Sequence, residues 1–337
     1  MTLAVPTLFD TPAAVDALRA AFGNAPVTGA RRIIGGFSGA DVFRLEAEGC
    51  AWLLRAPKAR DALRDPERWL PCLRIAAEAG IAPPLRYADP QTGACITRFV
   101  EGRPLAEGFD GPREAMIAAL GAVARRLHAT PPFPRFVDYM DGMADMIGQL
   151  RSSALLASEA LDEELAGYGE LDRACRALAP EPVSSHNDLN PRNILVDDGR
   201  LWVVDWEAAF LADRYVDLAA LANNTTRDDA ELAVLTHAYF GGAPTEAQSA
   251  RLFLARQLNH VFYGVAFLSG LAAERPDARL APEGIAANIR EVRLALAQGR
   301  FPLDTWDGRV VYGLAHLRAA RANLASGRFA EAVRLAR

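Results

Sequence analysis

The stretch Ser184–Glu207, SSHNDLNPRNILVDDGRLWVVDWE, decides how the rest of the chain is read. Two short apolar runs, Ile194–Val196 and Leu201–Val204, lie among acceptor side chains, and Asp188, Asn193 and Asp205 stand at strand-end positions. Asp197-Asp198-Gly199 between the runs is turn chemistry and predicts a hairpin. His186, Asp188 and Asn193 are spaced His-x-Asp-x-x-x-x-Asn, and Asp205 follows twelve residues after Asn193 at the end of an apolar strand. Phosphoryl transfer from a nucleotide needs an acceptor-only side chain beside the attacking hydroxyl. It also needs oxygen ligands for the Mg²⁺ that neutralises the polyphosphate. Asp188 suits the first task. Asn193 and Asp205 suit the second, because Mg²⁺ prefers hard oxygen donors.

The chain around this stretch has 337 residues, 51% hydrophobic and 23% charged, enough to bury a real core in two lobes or two domains. Its 37 basic and 42 acidic residues leave a net charge of -5, which offers no positive footprint for nucleic acid or an anionic membrane. Cys50, Cys72, Cys95 and Cys175 show neither a Cys-x-x-Cys pair nor histidines at zinc-ligand spacing, and read as reduced thiols. The N-terminus MTLAVPTLFD has no basic segment followed by a long apolar one, and Val261–Ala273 is too short to span a bilayer. A cytoplasmic location is the expectation.

Upstream, DTPAAVDALRAAFG predicts a helix capped at Asp10 or Thr11 and ended by Gly23. Short β-rich runs follow at Arg31–Ile34, Val42–Ala47 and Ala51–Ala56, then a helix over Pro66–Ala79 and a strand pair near Leu85–Tyr87 and Ala94–Val100. The segment VEGRPLAEGFDG reads as a connector. Beyond it the pattern is helical, including Pro112–His128, Asp217–Ala222, Asp228–Phe240 and Thr245–Ala273, and closes with an amphipathic pair joined at Ser326-Gly327. Gly35, Gly36 and Gly39 would let backbone N–H groups approach phosphate oxygens, with Phe37 in the same loop and Ser38 adding a hydroxyl.

The His-x-Asp-x-x-x-x-Asn spacing, the later Asp205-Trp206-Glu207 and the run DRYVDLA resemble the protein-kinase-like fold in its small-molecule branch. That branch comprises choline/ethanolamine kinases, thiamine kinases and aminoglycoside phosphotransferases, and the DWE form leans towards choline-kinase-like members. The resemblance implies an α+β fold of two lobes, a small mixed β-sheet lobe and a larger, mostly helical one. It divides the chain into a nucleotide-binding lobe over 1–100 with an extra N-terminal helix, a catalytic and acceptor-binding lobe over 101–300, and a helical extension over 301–337. It implies ATP as donor and Mg²⁺ as metal, with the 35–39 loop over the phosphates and Arg55 as the phosphate-binding cation. The backbone at Phe99, Val100 and Glu101 would meet the adenine. The family's helix carboxylate that pairs with the cation has no counterpart in register, where Trp69 stands, and Glu67 is the expected substitute.

The resemblance further implies a small alcohol as acceptor, of cationic kind if choline-like, since aromatic faces and carboxylates attract a quaternary ammonium. Trp206, Glu207, Tyr215 and Tyr263 are the expected acceptor contacts. Asp217, grouped with them, is expected above all to cap its helix and orient the catalytic loop. His186 is expected to brace the loop beside Asp188. A thiamine or aminoglycoside kinase is the alternative enzyme. A pseudokinase-like binding module is the alternative of another class.

Overall fold

The computed structural model describes residues 11–33, 40–57 and 64–336. They form two compact units, Met1–Phe136 with Pro182–Leu211, and Val137–Glu181 with Ala212–Arg337. Each unit takes up non-contiguous stretches, so packing divides the chain differently from lobes counted in chain order.

In the first unit, α1 (Pro12–Phe22) covers one face of a sheet of β1 (Thr28–Arg32), β2 (Asp41–Ala47), β3 (Cys50–Ala56), β4 (Leu85–Ala88) and β5 (Cys95–Arg98), with α2 (Pro66–Glu78) between β3 and β4 in sequence. The strand order is β1-β2-β3-β5-β4, and every paired neighbour is antiparallel. The alternation of β2 puts Phe43, Leu45 and Ala47 on the inner face, where Leu18 and Phe22 of α1 meet Leu54 and Ile96. The N-terminal helix is thus part of the lobe's own core.

The connector is more ordered than its composition suggests. Arg103 and Pro104 form β6, antiparallel to Val196 and Leu195, and Leu105–Gly108 makes a single helical turn, α3. After α4 (Arg113–His128) the chain leaves this unit and re-enters it as β7 (Pro182–Ser185), β8 (Ile194–Asp197) and β9 (Arg200–Val203). The expected hairpin forms with Asp198 and Gly199 as its two turn residues, both at positive φ (48° and 69°). That is the turn whose twist matches antiparallel strands. Val203 N–H donates to the Ile81 carbonyl (2.9 Å), and Val204 N–H to the Asn193 carbonyl (2.9 Å), tying down the open end of the hairpin.

The second unit holds β10 (Phe210–Asp213, whose first two residues belong to the first unit), α5 (Tyr139–Ser153), α6 (Ser158–Glu164), α7 (Tyr168–Arg176), α8 (Arg214–Thr225), α9 (Asp229–Phe240), α10 (Glu246–Glu274), α11 (Ile289–Ala297), α12 (Trp306–Leu324) and α13 (Gly327–Leu335). α10 starts with a reciprocal cap between Thr245 and Gln248. It lies against α12 closely enough that a Cβ on Gly264 would stand 2.5 Å from Leu317 Cδ2 and 3.0 Å from the Gly313 carbonyl oxygen. Leu268, Leu271, Leu314 and Leu317 share one core with Met143, Leu150 and Leu161. Phe329 and Ala332 of α13 pack with Leu254 and Leu324.

Between α10 and α12, His260 and His316 are both buried with their Nδ1 atoms 3.0 Å apart, so one nitrogen donates and the other accepts. Burial, with Arg293 nearby, pushes His316 down to about 3 and His260 well below its ordinary value of 6.5. Two protonated rings would point N–H groups at each other. Both histidines are therefore neutral when folded, whereas the unfolded chain takes up their protons below about pH 6.5. Stability should fall as pH drops through that value, by about 1.4 kcal/mol per pH unit for each histidine. Urea midpoints at pH 7 and pH 5, compared between wild type and His260→Leu/His316→Leu, check this. The wild type should lose more than the double variant.

Candidate active site

All the catalytic candidates that the structure describes lie in the first unit. β7 ends at Ser185, and the chain then turns through His186 and Asn187, the latter at φ 63°. His186 is fully buried, its Nε2 lies 3.0 Å from the Val204 carbonyl and so donates to it, and its ring meets Trp206 edge-on at 4.8 Å. The ring spans the start of the loop and the end of β9, a bracing geometry. Asn187 Nδ2 donates to the carbonyls of Ala208 (3.0 Å) and Phe210 (3.3 Å), adding a second tie to the turn after β9.

Asp188 is held from both sides. Asn190 Nδ2 donates to its Oδ1 (2.8 Å), and Asn193 Nδ2 donates to its Oδ2 (3.0 Å) and to its carbonyl (2.9 Å). A carboxylate fixed by two neutral amides has a set orientation, as a proton acceptor for a hydroxyl requires. Because the Asn193 amide nitrogen is committed to Asp188, its Oδ1 is the atom left for a cation. Asp205 sits twelve residues on, exposed, at φ 66° and ψ 65°, a left-handed conformation that a non-glycine residue rarely adopts. Among the described residues its carboxylate forms no ion pair or hydrogen bond. The pair offers one amide oxygen and one unspent carboxylate, a hard-oxygen set that fits Mg²⁺. No cluster of three or more His, Cys, Asp or Glu side chains suited to a metal occurs among the described residues, so the ion's other ligands would be water and phosphate.

On β3, Arg55 faces the site but not Glu67. Its Nη2 lies 2.5 Å from Glu207 Oε1, and both side chains are largely buried. Its guanidinium lies 5.4 Å from the centre of the Trp69 ring. Glu67 is exposed in the first turn of α2, where its N–H is capped by Asp65, so the expected Glu67–Arg55 pair is replaced. The physical reason is register. Glu67 lies two positions, about 200°, around the helix from the face that Trp69 turns towards Arg55. Glu207, assigned from sequence to the acceptor, is likewise redirected, because the 3-10 turn Trp206–Ala208 points it back to β3.

Phe99 N–H continues the sheet by donating to the Ala51 carbonyl (3.0 Å), and Arg44 lies over its ring and binds Glu101 at 2.6 Å. Gly35, Gly36, Phe37, Ser38 and Gly39 lie outside the described residues. Sequence reasoning overlooked the parts of Asn187, Asn190 and Arg68. The asparagines flank Asp188 in HNDLN, and that density of amides around one carboxylate was the available signal.

Three expected acceptor contacts are corrected. Trp206 and Tyr215 are each 4% exposed and Tyr263 is 8% exposed, so none turns an aromatic face to solvent. The indole N–H of Trp206 is spent on the Val203 carbonyl (3.0 Å), and its ring packs on His186 and Phe133. Tyr215 lies in the first turn of α8, and burial pushes its hydroxyl up to about 12. Tyr263 belongs to a packed group with Leu303, Tyr312 and Ala315. Rings of this size contribute more by burial than by standing in water. Tyr263→Ala should therefore cost about 3 kcal/mol of stability and leave the KM values of the folded enzyme unchanged. Urea titration and kinetics on one preparation check it.

Asp217 does not cap α8. The helix begins earlier than expected, at Arg214, and Asp213 accepts from the N–H of Tyr215 (3.0 Å) and of Glu181 (3.1 Å). Asp217 lies in the first turn, fully buried.

The model of the phosphotransferase enzyme family APH matches residues 29–253, and the chain belongs to that family. An aminoglycoside 3'-phosphotransferase of Escherichia coli is 26% identical over 239 residues, covering 65% of this chain and 86% of that protein. Among solved structures, a choline/ethanolamine kinase family protein from Mesorhizobium loti aligns with TM-score 0.65 at 22% identity, covering 92% of each chain. Choline kinase LicA from Streptococcus pneumoniae aligns with TM-score 0.63 at 14% identity, covering 92% of this chain and 96% of that one. At those identities the likeness shows the fold. It is the expected mixed α+β architecture, with a small antiparallel sheet part and a larger helical part. No helix among the described residues is long and apolar enough to cross a membrane.

Proposed function

We propose that this phosphotransferase moves the γ-phosphoryl group of ATP to the hydroxyl of a small amino alcohol such as choline or ethanolamine. The observation that carries the reaction class is Asp188, its two carboxylate oxygens held by Asn190 and Asn193 while the Asp205 carboxylate stands unspent. In this reading Asp188 orients the acceptor hydroxyl and takes its proton, and His186 holds the loop that carries it. Asn193 and Asp205 would hold Mg²⁺, which supplies charge neutralisation of the phosphates when bound. Arg55 donates to the phosphates, and the backbone at Phe99, Val100 and Glu101 meets the adenine.

The amino-alcohol assignment rests on the DWE sequence and is favoured by the fold's likeness to choline kinases. With the aromatic candidates buried, a cationic acceptor would be met by carboxylates rather than by an aromatic cage. A second reading, an aminoglycoside acceptor, is favoured by the Escherichia coli relative. ADP release measured with ATP, Mg²⁺ and each of choline, ethanolamine, thiamine and a panel of aminoglycosides tests both. Selective turnover of choline or ethanolamine is the expected result, and turnover of aminoglycosides alone overturns the amino-alcohol reading. Tight Mg·ATP binding without turnover of any alcohol would instead mark a pseudokinase-like binding module.

A further inference from the structure

The ion pair that orients the phosphate-binding cation is built differently here from the helix-borne arrangement that the sequence resemblance implied. The position of α2 facing Arg55 carries Trp69, which is 2% exposed and stacks beneath the guanidinium, and it has no charge to offer. The carboxylate comes from Glu207, two residues after Asp205. The neighbouring Arg68 secures this exchange. It is buried, its Nη2 donates to the Glu207 carbonyl at 2.5 Å, its Nη1 donates to the Ala209 carbonyl, and its guanidinium lies 4.6 Å from the Phe136 ring centre. One helix therefore grips the turn through its backbone with Arg68 and supports Arg55 from below with Trp69. The turn in exchange sends Glu207 to Arg55.

We infer that Glu207 is a positioning residue for ATP, holding Arg55 in its phosphate-binding orientation in place of a helix carboxylate. The inference rests on the phosphotransfer reading above. Glu207 Oε1 forms an ion pair with Nη2, while Nη1 of Arg55 has no ion-pair contact, and both nitrogens are buried without a hydrogen bond among the described residues. A planar guanidinium held by one nitrogen presents the other in a fixed direction, which is how arginine suits phosphate oxygens. The arrangement also joins two parts of the site in one short segment. Asp205 offers the metal ligand and Glu207, two residues on, sets the cation, so the 205–207 turn aligns metal and phosphate donor together.

Glu207→Gln removes the charge and keeps the shape. Calorimetric titration with ATP should show the Kd raised on the order of tenfold, the scale of a lost charge-assisted hydrogen bond. The rise should be the same with Mg²⁺ and with EDTA, because Arg55 meets phosphate without the metal. It should vanish in an Arg55→Ala background, where Glu207 has nothing left to hold. Adding Trp69→Glu to Glu207→Gln should recover part of the affinity by restoring a carboxylate on α2. If that double variant does not fold, the comparison in EDTA and the Arg55→Ala background still decide. A deficit seen only with Mg²⁺ would make Glu207 a metal ligand and overturn the inference. So would an unchanged or lower Kd, which leaves Glu207 to the acceptor or makes it a competitor of phosphate. A wild-type chain that binds no ATP at all would remove the phosphotransfer reading itself, a result separable from a wild type that binds ATP and a variant that matches it.

Discussion

Asp188→Ala should lower turnover by at least about a hundredfold while leaving Mg·ATP binding nearly intact. The carboxylate is the acceptor-only group of the loop, and positioned proton acceptors contribute about 10²–10⁴ in rate. Its two amide partners add a refinement. Asn190 and Asn193 lose the carboxylate in the variant and keep only the carbonyl of residue 188 as acceptor, so a modest change in Mg²⁺ requirement should accompany the loss, transmitted through Asn193. Steady-state turnover and ATP titration on the same preparation give the answer. A turnover within a few-fold of wild type would remove Asp188 from the chemistry.

Asp205→Ala should weaken Mg·ATP binding strongly, since Asn193 has an oxygen for the cation but no charge. The left-handed backbone at this residue allows a cleaner test than alanine alone. At φ 66° a side chain is disfavoured by roughly 1–2 kcal/mol, a cost that glycine does not bear. Asp205→Gly should therefore fold at least as stably as wild type, by about 1 kcal/mol in urea, yet lose Mg·ATP affinity as fully as Asp205→Ala. A glycine variant that keeps its affinity for Mg·ATP would sink the metal assignment. A variant that is more stable and weaker in binding would show strain held in place for function.

Much of the candidate site's geometry was legible in the residue order because its spacing is local. His186, Asp188 and Asn193 lie within one loop, and the turn at Asp198-Gly199 ensures that Asp205 returns beside them. Hydrogen-bonding amides, glycine turns and alternating strands act over a few residues, so spacing carries them. The two-residue hairpin, the strand alternation of β2 and nearly all the helices emerged on the same grounds. The start of α8 was missed by three residues because two aspartates, Asp213 and Asp217, both qualify as caps by type.

What the order of residues determined by itself is the phosphotransferase family and the fold's α+β pattern, together with one candidate proton acceptor and two candidate oxygen donors for a metal. What only the tertiary structure decided is which distant groups meet. Whether Arg55 pairs with Glu67 or Glu207 depends on the rotation of α2 and the direction of a 3-10 turn 152 residues away along the chain. Whether Trp206, Tyr215 and Tyr263 face a ligand or a core depends on which neighbours cover them. An aromatic ring has the same sequence signature in both settings, because the hydrophobic gain that buries it has no direction until the surrounding elements have packed.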